Sequence, residues 1–325
     1  MRCWRCTRKK AEPRDSVKPD IPSFSELHSG GKAVMARALA AVEQYTDDPA
    51  VLALLDAAWN AARAHVIGLT GPPGVGKSTL INALLKSWRR QGRTVGVIAV
   101  DPTSRKTGGA LLGDRTRLST DPEDNGVFVR SMAARERLGG LAALTLPAMV
   151  LMRAVYDVVL IETVGIGQSE TDVANVSDTV IFCIQPGSGD SLQFMKAGIM
   201  EVPHIAVVTK ADMNAAARRA KADVEGALGL TEIGANEWLA PVLSLSAARH
   251  DGIEQLVGEI DRHRDWLAQT GTGARTRAAQ AHHWLTEMVR EQFGLRGLAR
   301  VNGEIEAAPH ASPFSRASVI IRKLM

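Results

Sequence analysis

The sequence predicts an α/β fold built on a doubly wound, mostly parallel β-sheet, and three observations lead to this prediction. Short β-branched runs alternate with helical segments from about residue 65 onward. Several of these runs are apolar almost throughout, which is typical of parallel strands covered by helices on both faces. A glycine-rich turn stands between the first run and the helix after it. Strands separated by helices form right-handed βαβ units, so a doubly wound sheet is expected.

The part of the chain before the sheet divides into a leader and a helical extension. Residues 1–23 contain three prolines and mixed charges, which predicts a flexible leader. Residues 24–64 place apolar side chains at three- and four-residue spacing, so they predict an N-terminal helical extension. Asp47, Asp48 and Pro49 break this extension into two helices, with Pro49 suited to a first helical turn.

Residues 65–268 are predicted to form the main domain, which contains the sheet. We predict strands at residues 66–70, 94–100, 127–130, 158–163, 179–185, 205–209 and 242–246. A further helix follows residue 252 and ends near residue 267.

Residues 269–325 are predicted to form a C-terminal helical arm and tail. A linker rich in Gly, Thr and Arg at 271–277 leads to an amphipathic helix at 278–293, and the last thirty residues show no clear pattern. The helix has an apolar stripe formed by Ala281, Leu285, Met288, Val289 and Phe293. Either the rest of this chain or a second chain must cover such a stripe. Both alternatives stay open on this pattern.

Composition excludes several classes of protein. A chain of 325 residues with 45% hydrophobic side chains can form one large α/β domain with helical additions, or two small domains. The net charge is 39 − 35 = +4, and aromatic residues make up 4%, so we expect no nucleic-acid partner. The chain has no run of about 18 apolar residues, so we expect no membrane span.

The three cysteines indicate a reducing compartment. Cys183 lies within an apolar run and is expected to be a small buried side chain. Cys3 and Cys6 form a lone C-x-x-C without the four ligands that a zinc site needs. The first eleven residues lack the apolar core of a secretory signal. We expect a cytoplasmic protein, and the arginines of this segment also allow an organellar matrix.

The strongest motif predicts a phosphate-binding loop. Residues 71–78 read G-P-P-G-V-G-K-S and match G-x-x-x-x-G-K-[ST] between a predicted strand and a predicted helix. Glycines let consecutive backbone N–H groups turn toward phosphate oxygens, and the helix amino terminus adds a favourable dipole. Lys77 is predicted to contact the β- and γ-phosphates and Ser78 to bind Mg²⁺. The predicted loop residues are Gly71, Pro72, Pro73, Gly74, Val75, Gly76, Lys77, Ser78 and Thr79.

Three carboxylates are candidates for the Mg²⁺ site. Mg²⁺ prefers hard oxygen ligands, so acidic side chains are expected at the ends of neighbouring strands. Asp101 closes one predicted strand, Asp114 lies in the loop after it, and Glu162 ends the apolar run that starts at Asp157. The alternative for each is a surface or capping carboxylate. A charge that emerges from an otherwise apolar run favours the functional interpretation for Glu162.

The segment after Glu162 predicts a switch. Gly165 is placed so that its backbone N–H can reach a γ-phosphate, and hydrolysis would release the residues that follow. Gln168 either orients the attacking water or is a solvated loop residue, and the two interpretations are equally supported.

Two later loops predict a guanine site. Thr209-Lys210-Ala211-Asp212 follows a late strand, where GTPases carry Asn-Lys-x-Asp. The Asp212 carboxylate would accept hydrogen bonds from guanine N1–H and the 2-amino group, which adenine does not offer. The stem of Lys210 can lie against the base. Ser246-Ala247-Ala248 follows the next strand and matches the second guanine loop, usually Ser-Ala-x. Thr209 departs from the usual Asn and supplies a hydroxyl in place of an amide.

Five stretches of this sequence together resemble the MeaB/ArgK GTPases, over about residues 30 to 295. They are D-P-T-S at 101–104, G-G-A-L-L-G-D-R-T-R at 108–117, L-G-G-L-A at 138–142, I-E-T-V-G-I-G-Q-S-E at 161–170 and P-G-S-G-D at 186–190. Members of this family are chaperones of adenosylcobalamin-dependent acyl-CoA mutases such as methylmalonyl-CoA mutase. Using GTP, they gate cofactor loading onto the mutase and protect it from inactivation.

The resemblance implies a P-loop NTPase fold and a homodimer in which the N-terminal extension and the C-terminal arm flank the GTPase domain. It implies GTP or GDP with Mg²⁺ as cofactors, with Ser78, Asp101, Asp114 and Glu162 around the metal. It also implies that residues 185–196 respond to the nucleotide. This sequence departs from the family at Thr209 and at residues 130–137, where the family has a stretch rich in Pro and Ser.

Two other functions compete with this one. A kinase-like enzyme would phosphorylate a small molecule or a transport protein, but the sequence offers no second substrate motif, and Gln168 favours water as the acceptor. A metal-inserting GTPase of the same class would need a stretch rich in His or Cys, which His282-His283 with Cys3 and Cys6 do not provide. The mutase itself is excluded because no Asp-x-His-x-x-Gly motif occurs.

Overall fold

The computed structural model describes residues 20–101, 118, 121–133, 144–163, 172–187, 203–229, 234, 237–306 and 311–325. Within these residues, seven strands form one sheet in which every pair is parallel. The strands are β1 (His65–Thr70), β2 (Val95–Asp101), β3 (Val127–Ala133), β4 (Val158–Glu162), β5 (Thr179–Ile184), β6 (Ile205–Val208) and β7 (Val242–Ser244), in the order β3-β2-β4-β1-β5-β6-β7. The doubly wound fold predicted from the sequence is confirmed.

The sheet is covered on both faces, which explains why its strands are apolar throughout. Successive residues of a strand point to opposite faces. In β1, Val66 packs with α2 (Gly31–Gln44), α3 (Pro49–Asn60) and α5 (Thr145–Val155) on one face. Ile67 and Leu69 pack on the other face with α4 (Lys77–Arg90) and with the helix at Ile253–Thr270. All six residues of β1 are buried, so this strand is a rigid support for the loop that follows it.

The N-terminal extension forms three helices where the sequence predicted two. The first, α1 (Phe24–Ser29), begins with a capping box between Ser23 and Glu26, and α3 begins at Pro49 with Asp48 as its N-cap. The additional break lies at Gly30-Gly31. Gly31 has a φ of +66°, a left-handed conformation that glycine adopts without steric cost. The prediction of two helices rested on the break at Pro49 alone and did not include this glycine pair.

The C-terminal region is more helical than predicted. After α6 (Ala215–Leu228) and α7 (Ile253–Thr270), a helix α8 (Thr272–Glu306) begins almost at once and bends at Gly294, and α9 (Pro313–Leu324) follows. The predicted linker at 271–277 is wrong, because only Gly271 leaves the helical conformation before α8 begins. The last thirty residues, in which the sequence shows no clear pattern, include α9. No helix among the described residues is both long enough and apolar enough to cross a bilayer.

The apolar stripe of α8 is covered within this chain. Ala281, Leu285 and Val289 are fully buried. Leu285 and Val289 pack with Val301 and Ile305 beyond the bend and with α9. Of the two alternatives left open by the sequence, the described residues support packing within one chain. The homodimer stays a prediction from the family resemblance.

A buried ion pair attaches α8 to the sheet. Arg277 donates two hydrogen bonds of 2.8 Å to Asp178, one to each carboxylate oxygen, and a third of 3.2 Å to the carbonyl of Ala64. Asp178 also accepts from the backbone N–H of Val66 at 2.8 Å. Burial alone would raise the pKa of Asp178, but the bonds and charge of Arg277 outweigh it and hold this pKa below its usual value. The pair therefore links the C-terminal arm to the start of the central strand.

We predict that Arg277→Leu lowers the free energy of unfolding by about 3 kcal/mol at pH 7, because it leaves the buried Asp178 carboxylate without its cation. The difference in the free energy of unfolding between wild type and variant should shrink as the pH falls, since protonation of Asp178 removes the unpaired charge. Urea denaturation measures both effects. Arg275→Leu, which removes an exposed arginine two residues away, is the matched control. Equal stability of the two variants would contradict a structural role for the pair.

Candidate nucleotide site

The predicted phosphate loop connects β1 directly to α4. Gly71 has a φ of +137°, and a Cβ added there would lie 2.4 Å from the carbonyl oxygen of Cys183 at the end of β5. Only glycine allows the backbone of the loop to approach the backbone of β5 this closely. Gly76, with a φ of +106°, turns the backbone into the first residue of α4. Val75 between them is buried, which anchors the loop.

Lys77 lies against its own loop. Its side chain is almost completely buried, and Nζ donates to the carbonyls of Gly71 at 2.7 Å and Pro72 at 3.2 Å. A buried ammonium needs such acceptors because its transfer from water is costly. The positive charge is thus held at the mouth of the loop that the sequence assigns to phosphate.

Ser78 and Glu162 meet at the carboxyl edge of the sheet. The Ser78 hydroxyl, in the first turn of α4, donates a 2.9 Å hydrogen bond to Oε1 of Glu162, the last residue of β4. Mg²⁺ binds oxygen at about 2.05 Å in octahedral geometry, so neighbouring ligands lie about 2.9 Å apart. The two oxygens therefore match one edge of such a site in both chemistry and spacing.

Thr163 and Thr70 fix the ends of β4 and β1 relative to each other. The Thr163 N–H donates to the carbonyl of Leu69 at 3.1 Å, and its hydroxyl lies 3.1 Å from that of Thr70. Both side chains are buried. Neither threonine is among the site residues predicted from the sequence, and the only signal is the position of Thr163 directly after Glu162.

Thr209 connects the predicted base loop to the phosphate loop. Its buried hydroxyl lies 2.8 Å from the carbonyl of Val75 and 3.1 Å from that of Ile184. Lys210 adds a second connection, because Nζ donates to the carbonyl of Gly74 at 3.1 Å and to Oε1 of Gln185 at 2.8 Å. Lys210 has a φ of +53°, a conformation that costs a non-glycine residue energy and is concentrated at functional sites.

The two predicted base loops are joined to each other. The Ser246 hydroxyl donates a 2.7 Å hydrogen bond to Oδ1 of Asp212, and the Ala211 N–H donates to the carbonyl of Leu245 at 3.0 Å. The bond from Ser246 lowers the pKa of Asp212. Asp212 is exposed, so an ionised carboxylate is presented to solvent at this edge. Ala247 and Ala248 continue from Ser246 as a 3₁₀ turn.

Several predicted residues lie outside the described part of the chain. They are Asp114, Gly165 and Gln168, with Cys3 and Cys6 of the leader and most of the predicted responsive segment at 185–196. The backbone of Asp101 ends β2, as predicted, but its side chain is outside the description. Cys183 is buried, as predicted, and burial raises the pKa of its thiol to about 12.

Several known proteins are similar to this chain in sequence. A family model described as "Methylmalonyl Co-A mutase-associated GTPase MeaB" matches residues 35–301. A putative GTPase of Pyrococcus abyssi is 39% identical over 275 residues, which cover 81% of this chain and 84% of that protein. The GTPase ArgK of Escherichia coli is 36% identical over 279 residues, with 83% of each chain covered.

Two further similarities concern a mouse protein and a solved structure. The mitochondrial methylmalonic aciduria type A homolog of Mus musculus is 37% identical over 228 residues, which cover 69% of this chain and 55% of that protein. The crystal structure titled "LAO/AO transport system kinase" matches with a TM-score of 0.65 and 28% identity, covering 92% of this chain and 96% of that one. With the parallel sheet and the loop at 71–78, these matches show that the chain is a P-loop GTPase of the MeaB family.

Proposed function

We propose that this GTPase is a chaperone of an adenosylcobalamin-dependent acyl-CoA mutase, which gates loading of the cofactor and protects the mutase from inactivation. The observation that carries the proposal is the extent of the family match. It begins at residue 35 in α2 and ends at residue 301 in α8, so it includes helices that hold no nucleotide loop. The family description names methylmalonyl-CoA mutase, and that association supports an acyl-CoA mutase as the partner of this chain.

The phosphate end of the site is proposed to work through charge and metal. Lys77 would exchange its loop carbonyls for phosphate oxygens, and Ser78 and Glu162 would hold Mg²⁺ with Asp101 and Asp114. Mg²⁺ would stabilise the negative charge that develops on the transferred phosphoryl group. Beyond the described residues, Gly165 is proposed to contact the γ-phosphate and Gln168 to orient the water.

The base end is proposed to select guanine through Asp212. The carboxylate is ionised and held by Ser246, which leaves its second oxygen for a donor of the base. Thr209 is proposed to replace the usual Asn by bonding the phosphate loop directly. The base and the phosphates would then be held by loops that support each other.

Assembly, location and an alternative complete the proposal. On the family resemblance we propose a homodimer. We propose a cytoplasmic location, or an organellar matrix such as the mitochondrial name of the mouse relative suggests.

The kinase title of the structural neighbour supports the alternative of phosphoryl transfer to an acceptor other than water. The curated relatives named GTPases favour hydrolysis.

We predict that Asp212→Asn shifts the nucleotide preference from GTP toward XTP. The amide can donate to the carbonyl that xanthine carries in place of the guanine 2-amino group, while two accepted bonds from guanine are weakened. Loss of a bond to a charged group should weaken GTP binding by about 10- to 100-fold. Calorimetry with both nucleotides measures this, with Asp223→Asn, an exposed carboxylate on α6, as the matched control. An unchanged GTP affinity would remove Asp212 from the base site.

The chaperone proposal predicts that the partner changes GTP turnover. Steady-state hydrolysis by the full chain should rise on addition of the cobalamin-loaded mutase from the same organism, because binding of the partner is coupled to the nucleotide state. Lys77→Ala should abolish tight nucleotide binding and with it any dependence of mutase loading on GTP. A rate that is the same with and without each acyl-CoA mutase of that organism would contradict the chaperone function and leave the GTPase assignment intact.

A further inference from the structure

A cavity of about 570 Å³ lies between the N-terminal helices, the amino terminus of α5 and the C-terminal arm. Its size is in the range of sites for small organic molecules. None of the described residues of the candidate nucleotide site lines it. Around it, α3 packs against both α5 and α9, and α8 packs against α9.

One part of the cavity wall is apolar and aromatic. It is lined by Trp284 and Met288 of α8, Phe314 and Ile321 of α9, and Leu52 of α3. Trp284 and Phe314 meet edge to face, with ring centroids 5.3 Å apart and planes at 65°. This pair holds both rings in a defined orientation. The wall is thus suited to an apolar body that is partly aromatic.

The other part of the wall is acidic. Five carboxylates line it: Glu43, Asp47, Asp172, Glu287 and Glu291. Arginines outside the lining pair with two of them, Arg130 with Glu43 and Arg290 with Glu287. Asp47 and Glu291 form no ion pair with any described residue. At least three negative charges therefore lack a cation among the described side chains.

Asp172 and Thr145 each have one enclosed oxygen without a hydrogen-bond partner. Oδ2 of Asp172 is out of contact with solvent and has no hydrogen bond, and Asp172 does not cap the 3₁₀ turn (Val173–Asn175) that follows it. Burial, with the charge of Glu287, raises the pKa of Asp172 to about 6. The Thr145 hydroxyl is fully buried and also lacks a partner. These two oxygens are enclosed, but Asp172 is only half-buried and lines the cavity, so the rest of its carboxylate can face a cation there.

The balance of charge decides what kind of donor fits. The amino terminus of α5 borders the cavity at Leu144 and contributes roughly half a positive charge. His283 adds an imidazole. These are outweighed by the three uncompensated carboxylates, so the cavity favours a cation.

We propose that this cavity is a second binding site, separate from the nucleotide site, for a small amphipathic amine. The ammonium group lies against Asp172, and the apolar or aromatic body lies against the wall that contains Trp284 and Phe314. The site does not depend on the mutase proposal, because it rests on contacts of the helices alone.

The test uses 4-phenylbutylamine and the neutral 4-phenylbutan-1-ol, which share a body and differ in charge. Calorimetry on the full chain should show the amine binding on the order of tenfold more tightly than the alcohol. Asp172→Asn should bring the amine to the affinity of the alcohol and leave the alcohol unchanged. Asp223→Asn, an exposed carboxylate on α6, should change neither.

A second variant locates the site without removing a charge. Ser318 lines the cavity from α9, so Ser318→Phe places a ring in it and should weaken both ligands. Its unfolding temperature, compared with that of wild type, shows whether the fold is kept, and Asp172→Asn remains a test if it is not. Equal binding of amine and alcohol, binding of neither, or an amine affinity unaffected by Asp172→Asn would overturn the proposal.

Discussion

The hydrogen bond from Ser78 to Glu162 is the contact on which the arrangement of the site depends. It joins the helix that starts after the phosphate loop to the end of a different strand, 84 residues later in the chain. The two can meet because β1 and β4 are parallel neighbours in a register that pairs Leu69 with Glu162. Parallel strands end at a common edge, so the loops that follow them converge there. The buried core on both faces of β1 keeps this edge rigid.

The same edge makes the phosphate and base loops one unit. Thr209 and Lys210, after β6, contact the carbonyls of Val75 and Gly74 in the phosphate loop. Asp212 is bonded in turn to Ser246, after β7. Each loop is bonded to the next one as well as internally, so a nucleotide that contacts all three would find them already placed. The motif usually carries an Asn at this position. Here the single hydroxyl of Thr209 makes the contact to the phosphate loop.

The sequence predicted what depends on local pattern and missed what depends on distant pairs. The strands, the loop at 71–78 and the burial of Cys183 follow from apolar runs and a specific motif, and the structure confirms them. The linker at 271–277 was wrong because tertiary contacts such as the ion pair of Arg277 outweigh the low helix propensity of its Gly and Thr residues. The ion pair between Arg277 and Asp178 joins residues 99 positions apart, and the cavity is lined by five separate helices. No spacing in the sequence indicates either feature.

The central claim is that Glu162 and Ser78 form a metal-binding edge of a GTPase site, and a Mg²⁺ titration of single-turnover GTP hydrolysis tests it most directly. Glu162→Gln keeps the shape and removes the charge. It should bind GTP but hydrolyse it about 100-fold more slowly at saturating Mg²⁺, and it should need more metal to reach its maximum rate. Glu225→Gln, an exposed residue of α6, should match wild type in both respects. A Glu162→Gln variant with the wild-type rate and the wild-type Mg²⁺ dependence would contradict the account.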